Sequence, residues 1–392
     1  MNSPARPFAR TDRSLIANWW WTVDRGVLMA VLVLIVLGVA LSFGSSPAAA
    51  QASGISHDPF YFAWRMVMFA AAGLTVMFGA SLLSPRGVRR IAVLTLLGSL
   101  FLMMMLPLIG DNVKGATRWI SVGPFGLQPS EMVKPAFIVF AAWMFSESQK
   151  GQGIPGITIA FVTLLIIIGL LYIQPDIGQT LLIVAVFGAV FFMAGVPLKW
   201  MGVMLGAAVV GGAAIYATVP HVRDRVARFT SPDQADTYQI DRAAEAIAAG
   251  GLVGRGAGEG VMKRSVPDLH TDFIYSVAAE EFGLIFSLLL IGLYAFIVLR
   301  GMSRALRLYD PFEQTAAAGL FMLLGLQAVI NVAVNLNLIP TKGMTLPFIS
   351  YGGSSMIGMA LTMGFALALT RRRAGAFDPG ESPLFERLRR GG

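Results

Sequence analysis

The chain of 392 residues contains no cysteine. That removes a disulfide framework, a thiolate metal site and a cysteine nucleophile at once, and says nothing about redox compartment. Histidine is almost as scarce. His57, His221 and His270 are the only three, too far apart for any zinc-ligand spacing. Charge is thin as well: Asp, Glu, Lys and Arg make up 13% of the chain against 56% apolar residues. Soluble domains carry about 25% charged residues, so a soluble globular fold is excluded. There is no Ser–His–Asp order that would make a triad. The glycine-rich run at 250–260 lacks the G-x-G-x-x-G register, and no strand precedes it, which removes a dinucleotide site. The net charge of +8 comes mostly from residues flanking hydrophobic segments, the ordinary topogenic pattern of a membrane protein and no sign of nucleic-acid binding.

What the chain does have is long apolar runs. A membrane span needs about 20 such residues. Ten spans are expected, near 27–43, 62–82, 91–109, 131–147, 156–173, 178–195, 201–219, 275–299, 315–338 and 353–370. The fold class is therefore an all-α polytopic membrane protein. An even count puts both termini on one side, and Arg86–Arg90, Lys150, Lys199, Arg300–Arg307 and Arg371–Arg373 fall in loops on that side. Short basic loops mark the cytoplasm, giving an N-in, C-in topology. Residues 1–26 form a cytoplasmic segment with Trp19, Trp20 and Trp21 at the interface; residues 27–373 form one membrane domain; residues 374–392 read as a disordered cytoplasmic tail. The sequence SSPAAAQA after the first run imitates a signal-peptidase site, which keeps a cleaved signal peptide open. Between helices 7 and 8 lies a large extracytoplasmic loop, about 220–272, in which 241–250 suits a short surface helix and 250–260 a flexible turn.

Polar residues inside an apolar chain are functional hypotheses by default. Glu131 and Lys134, in QPSEMVK, share a helix face and suit an ion pair, structural or substrate-facing. Pro129 suits the start of that helix, where a carboxylate meets the positive dipole end. Asp176, after Gln174-Pro175, favours capping the next helix over lining a cavity. Gln327, Asn331 and Asn335 recur every four residues, the pattern of amides that hold helices together in membranes. The stretch 337–355 brings two prolines, Lys342 and hydroxyls including Ser350 and Ser354 to the outer mouth, where a cation among hydroxyls suits an anionic headgroup. The strongest anomaly is 265–283, in which Asp268, His270, Thr271 and Asp272 run straight into an apolar segment bearing Glu280 and Glu281. The two glutamates are expected to hold the bundle or the loop rather than touch substrate.

Together the outer face offers one carboxylate, Asp272, a neighbouring His270 and several cations. This suits transfer from a pyrophosphate-linked donor, the base taking a proton from an acceptor hydroxyl while cations steady the departing diphosphate. No nucleotide is supplied outside the cell, so the donor would be a lipid-linked sugar. The residues do not name the sugar. The competing role for Asp272 is a helix N-cap for a span beginning at Phe273, which would lower its pKa and weaken it as a base.

The blocks HTDFIYSVAAEEFG, TRWISVGPFGLQPSEMVK, QPDIG and PTKGMTLPFISYGGSS resemble, in order, the signatures of the SEDS family (shape, elongation, division and sporulation proteins) over about 23–373. The PTKG block is more similar to the division and sporulation branches than to the elongation branch, and DPFYFAWR, ending at Arg65, resembles the division branch. The resemblance implies a ten-helix peptidoglycan glycosyltransferase that polymerises lipid II with inversion, releasing undecaprenyl diphosphate. The family's essential acid falls on Asp272, its QPSE-block charges on Glu131 and Lys134, and its outer arginines on Arg65 and Arg118. Asp268-Leu269 departs from the family's usual Glu but keeps the charge. No cofactor is required, although a divalent cation (Mg or Mn) could accompany the diphosphate. Implied partners are a class B penicillin-binding protein of the FtsI type and activators of the FtsQLB type. A lipid II flippase and a non-catalytic division scaffold stay open as alternatives.

Overall fold

In the computed structural model, the residues described are 14–54, 58–113, 116–123, 125–151, 153–195, 238–261, 270–340 and 343–373, with isolated positions between 202 and 223. They hold eleven helices: α1 (Leu15–Thr22), α2 (Arg25–Ser53), α3 (Tyr61–Ser81), α4 (Pro85–Ile109), α5 (Pro129–Gln149), α6 (Gly156–Ile173), α7 (Ile177–Met193), α8 (Tyr238–Gly250), α9 (Ile274–Ala305), α10 (Pro311–Asn335) and α11 (Gly353–Leu369). Nine of them correspond to expected spans. The seventh span, 201–219, lies mostly outside the described residues, as does the tail, 374–392. Six helices (α2, α3, α4, α6, α9 and α10) are long and apolar enough to cross a membrane, and α7 and α11 are shorter apolar helices. The protein is a mostly helical, multi-pass membrane protein.

Local chemistry sets the helix starts. Asp24 accepts from Gly26 and Val27 N–H to cap α2, Ser84 caps α4 ahead of Pro85, and Asp310 caps α10 ahead of Pro311. Each cap satisfies amides that the first turn leaves without an intrahelical partner, and proline at the first position loses nothing by lacking one. The first span is longer than expected. The SSPAAAQA run continues α2, with Ser45, Ser46, Ala49 and Ala50 buried and both alanines packed on Phe62 of α3. The fold is also not wholly helical. Between α4 and α5 the chain forms a three-stranded antiparallel sheet, β1 (Asp111–Val113), β2 (Ala116–Val122) and β3 (Phe125–Leu127), in the order β1-β2-β3.

The core is built around α5, which packs against α4, α6, α7, α10 and α11. Because it faces protein on nearly all sides, α5 can hold Glu131 and Lys134 where a lipid-facing helix could not. At one end of the bundle the N- and C-terminal parts are locked together. Buried Asp24 lies 2.9 Å from Arg300 Nε and 2.7 Å from Arg304 Nε, while Arg371 Nε donates to Thr22 Oγ1 and Arg373 Nη2 to Leu83 O. The opposite end carries the sheet, α8, the 270–273 turn and the 343–352 loop.

Helix α9 is interrupted at Gly283, whose φ of 77° and ψ of −174° leave the helical region. A regular helix would bond Leu284 N–H to Glu280 O and Ile285 N–H to Glu281 O. Here Leu284 N–H donates to Gly251 O (2.9 Å) and Ile285 N–H to Leu252 O (3.2 Å). The two freed carbonyls accept instead from Arg255 N–H (3.0 Å) and Gly256 N–H (2.9 Å). The glycine-rich segment after α8 is thus spliced into the helix ladder. A side chain on Gly283 would meet Gly254 N at 2.4 Å and Leu252 O at 2.5 Å, so glycine is required there for space as well as for φ. Glu280 Oε1 accepts from Val261 N–H at 2.7 Å, which makes it a loop anchor, and Glu281 is buried beside it.

Candidate functional site

Asp272 sits in the turn that leads into α9, partly buried with His270 and Thr271. The cap position of α9 is Phe273, which supplies no capping side chain, so Asp272 lies one residue outside the cap it was weighed for. The cap comes from another helix. Asn335 Oδ1 accepts from Ser276 N–H (3.2 Å) and Ser276 Oγ–H (2.8 Å). The main-chain carbonyl of Asp272 accepts from both Asn331 Nδ2 and Asn335 Nδ2, each at 3.0 Å. Asn331 Nδ2 also donates to Met344 O at 2.6 Å, tying the 343–348 loop to the same point. At Gly343, where φ is +63°, a side chain would stand 3.7 Å from Asp272 Oδ2, so this loop passes beside the carboxylate.

Beside the carboxylate is an aromatic box. The His270 ring lies 4.5 Å from Phe62 and 5.5 Å from Tyr351, and Phe62 meets Tyr351 edge-on at 5.2 Å. Tyr351 N–H donates to His270 O at 2.9 Å, which fixes the turn before Asp272. Arg65, one turn along α3, donates to Tyr61 Oη and lies 5.3 Å from the Tyr61 ring and 5.7 Å from Phe69. Burial pushes the Tyr351 hydroxyl up, against the pull of the Arg65 charge. Arg65, His270 and Asp272 are therefore gathered in one mouth. Tyr351 belongs with them and was not singled out from sequence. Its only signal there was an aromatic residue embedded in the glycine–serine block.

The remaining predicted residues form a different kind of cluster. Lys134 Nζ is fully buried, 2.7 Å from Glu131 Oε2 and 2.9 Å from Gln327 Oε1. Glu131 Oε1 accepts from Gln179 Nε2 at 2.6 Å. Arg118, on β2, donates through Nε and Nη2 to the carbonyls of Gln174 and Pro175. Asp176 caps α7 by accepting from Gln179 N–H at 3.3 Å, and also accepts from Gln128 Nε2. Burial raises the Asp176 pKa, with Arg118 pulling it back. Ser354 Oγ accepts from Gln128 N–H and donates to Gly126 O; Ser350 Oγ accepts from Leu346 N–H. Glu131 and Lys134, open between a structural and a substrate-facing pair, and Ser350 and Ser354, expected at a headgroup, thus use these polar atoms inside the protein. Lys342 lies outside the described residues. No group of three His, Cys, Asp or Glu able to hold a metal ion occurs among the described residues.

The family model for cell cycle proteins of the FtsW, RodA and SpoVE type matches residues 25–374, nearly the whole chain. The chain belongs to this FtsW/RodA/SpoVE family. A relative from Caulobacter vibrioides, named "Probable peptidoglycan glycosyltransferase FtsW", is 62% identical over 370 residues, covering 94% of this chain and 95% of its own. A relative of the same name from Geobacter metallireducens is 36% identical, covering 90% and 96%. Two solved structures share the fold over 90% of this chain. One, described as the structural coordination of polymerization and crosslinking by a peptidoglycan synthase complex, gives a TM-score of 0.74 at 27% identity over 98% of that chain. The other, the rod shape determining protein RodA of Thermus thermophilus, gives 0.65 at 26% over 97%. Every residue of the mouth described above lies within the matched span.

Proposed function

We propose that this chain is a peptidoglycan glycosyltransferase of the FtsW kind, polymerising lipid II at the outer face of the cytoplasmic membrane during septal wall synthesis. The observation that carries the reading is the mouth itself: Asp272, held through its main chain and not engaged as the helix cap, beside Arg65 and His270. Asp272 takes the proton of the 4-hydroxyl of the N-acetylglucosamine on the acceptor. That oxygen attacks the anomeric carbon of the donor glycan with inversion, and the bond to undecaprenyl diphosphate breaks. Arg65, with Arg118 and Lys342, steadies the negative charge on the leaving group. Glu131 and Lys134 act one layer behind, as the ion pair that holds α5 under the mouth. A Mg or Mn ion riding with the diphosphate would share the work of the arginines, and the reading requires no other cofactor.

In this reading the bundle has ten spans, N-in and C-in, with 220–272 outside. The partner is a class B penicillin-binding protein of the FtsI type, which crosslinks the new strand, with FtsQLB-type activators. A flippase would need polar groups through the depth of the bundle. Helix α6 offers only two threonines and a tyrosine, and the ionic groups of α5 are closed on one another. The test is reconstitution of the purified chain, with its penicillin-binding partner, on fluorescent lipid II. Wild type is expected to give polymer, and Asp272→Asn to give none. Polymer at the wild-type rate from Asp272→Asn would end the base assignment.

A further inference from the structure

We propose that Asn331 and Asn335 are positioning residues for the transfer step, an inference that rests on Asp272 being the base. Both amides are buried, with 1% exposure each. Spaced by four, they project from one face of α10. A carbonyl oxygen has two lone pairs, and at Asp272 the two asparagines supply a donor for each. The same two side chains do two further things. Asn335 Oδ1 fills the cap position of α9 from outside that helix, through Ser276 N–H and Oγ–H. An aspartate at a helix start ordinarily serves as that cap and spends its carboxylate on it; the trans-acting cap relieves Asp272 of the task. Asn331 meanwhile bonds Asp272 O and Met344 O with one Nδ2, so it sets the spacing between the carboxylate and the loop carrying Gly343. Asn335 Nδ2 closes the set by donating to Asn331 O at 2.9 Å. What looked in the sequence like an adhesive stripe is a bracket that holds the base by its backbone.

A bracket and an adhesive make different kinetic predictions. Gln314, on the same helix but at the other end of the bundle, is the adhesive control: it is also buried and donates to Leu306 O and Leu308 O. In reconstituted polymerisation with fluorescent lipid II and the penicillin-binding partner present, Asn331→Leu and Asn335→Leu are expected to lower kcat about 10- to 100-fold with KM changed less than about 2-fold. Gln314→Leu is expected to lose thermal stability to a similar extent while keeping kcat near wild type. The proposal is overturned if the asparagine variants retain wild-type kcat, or if all three variants fall together in kcat. Should the leucine variants not fold, Ser276→Ala, which removes one bond to Asn335, decides: a several-fold loss in kcat at constant KM supports the bracket, and an unchanged kcat overturns it. A dead Asp272→Asn beside active asparagine variants rejects the bracket alone. An active Asp272→Asn rejects the base beneath it.

Discussion

Two polar regions share the same end of the bundle and differ in how their atoms are used. Around the start of α5, Glu131, Lys134, Gln179 and Gln327 are nearly or wholly buried and bonded to one another. At the neighbouring mouth, Arg65, His270 and Asp272 are only partly buried, and what fixes His270 and Asp272 most clearly is main-chain hydrogen bonding and ring packing. Both regions look alike in a sequence, as charges in an apolar chain. The first is a closed circuit whose removal should cost structure. The second keeps side chains only partly buried, and its removal should cost rate.

Four experiments press on that division. The largest effect is expected at the mouth: Asp272→Asn should lower polymerisation by about 10²–10⁴-fold, the range of a general base, while the thermal midpoint in detergent stays within a degree or two of wild type (~0.5 kcal/mol). In the closed circuit the loss should move to stability. Lys134→Met strands the Glu131 carboxylate and is expected to cost about 3–5 kcal/mol by thermal unfolding, whereas the double change Glu131→Gln with Lys134→Met should recover most of it. A single change that left stability untouched would dissolve the distinction. Ser354→Ala should cost less, about 1–3 kcal/mol, by orphaning Gln128 N–H.

The smallest effect concerns Asp176, in the turn between α6 and α7. Its folded-state pKa is raised above 3.8 by burial. Its contribution to stability is therefore fullest below that value and declines as pH rises through the raised one. Asp176→Asn keeps the cap, so its midpoint should exceed that of wild type at neutral pH, with the gap narrowing as pH falls. A gap that widened in acid would reverse the sign of the assignment.

Much of this division was legible in the sequence wherever cause and effect lie close along the chain. Pro129 opening α5, Glu131 facing Lys134 three residues on, and Asp176 capping α7 are local patterns with local partners. What escaped reading depends on distant partners. Asn335 was legible as a polar residue in a helix, but its role is defined by Ser276, 59 positions away. The sheet at 111–127 escaped because two of its strands have three residues each, too short to show an alternation. Tyr351 gains meaning only from Phe62 and His270, which arrive from two other segments.

The splice at Gly283 has a consequence in the language of hydrogen exchange. Four amides, those of Arg255, Gly256, Leu284 and Ile285, belong to two segments but to one reciprocal set of bonds. Each bond that opens leaves an amide and a carbonyl of this set without their partners. The four should exchange their protons with deuterium as a single cooperative unit, at one rate shared by a loop and the middle of a membrane helix. The loop after α8 is then, thermodynamically, part of α9.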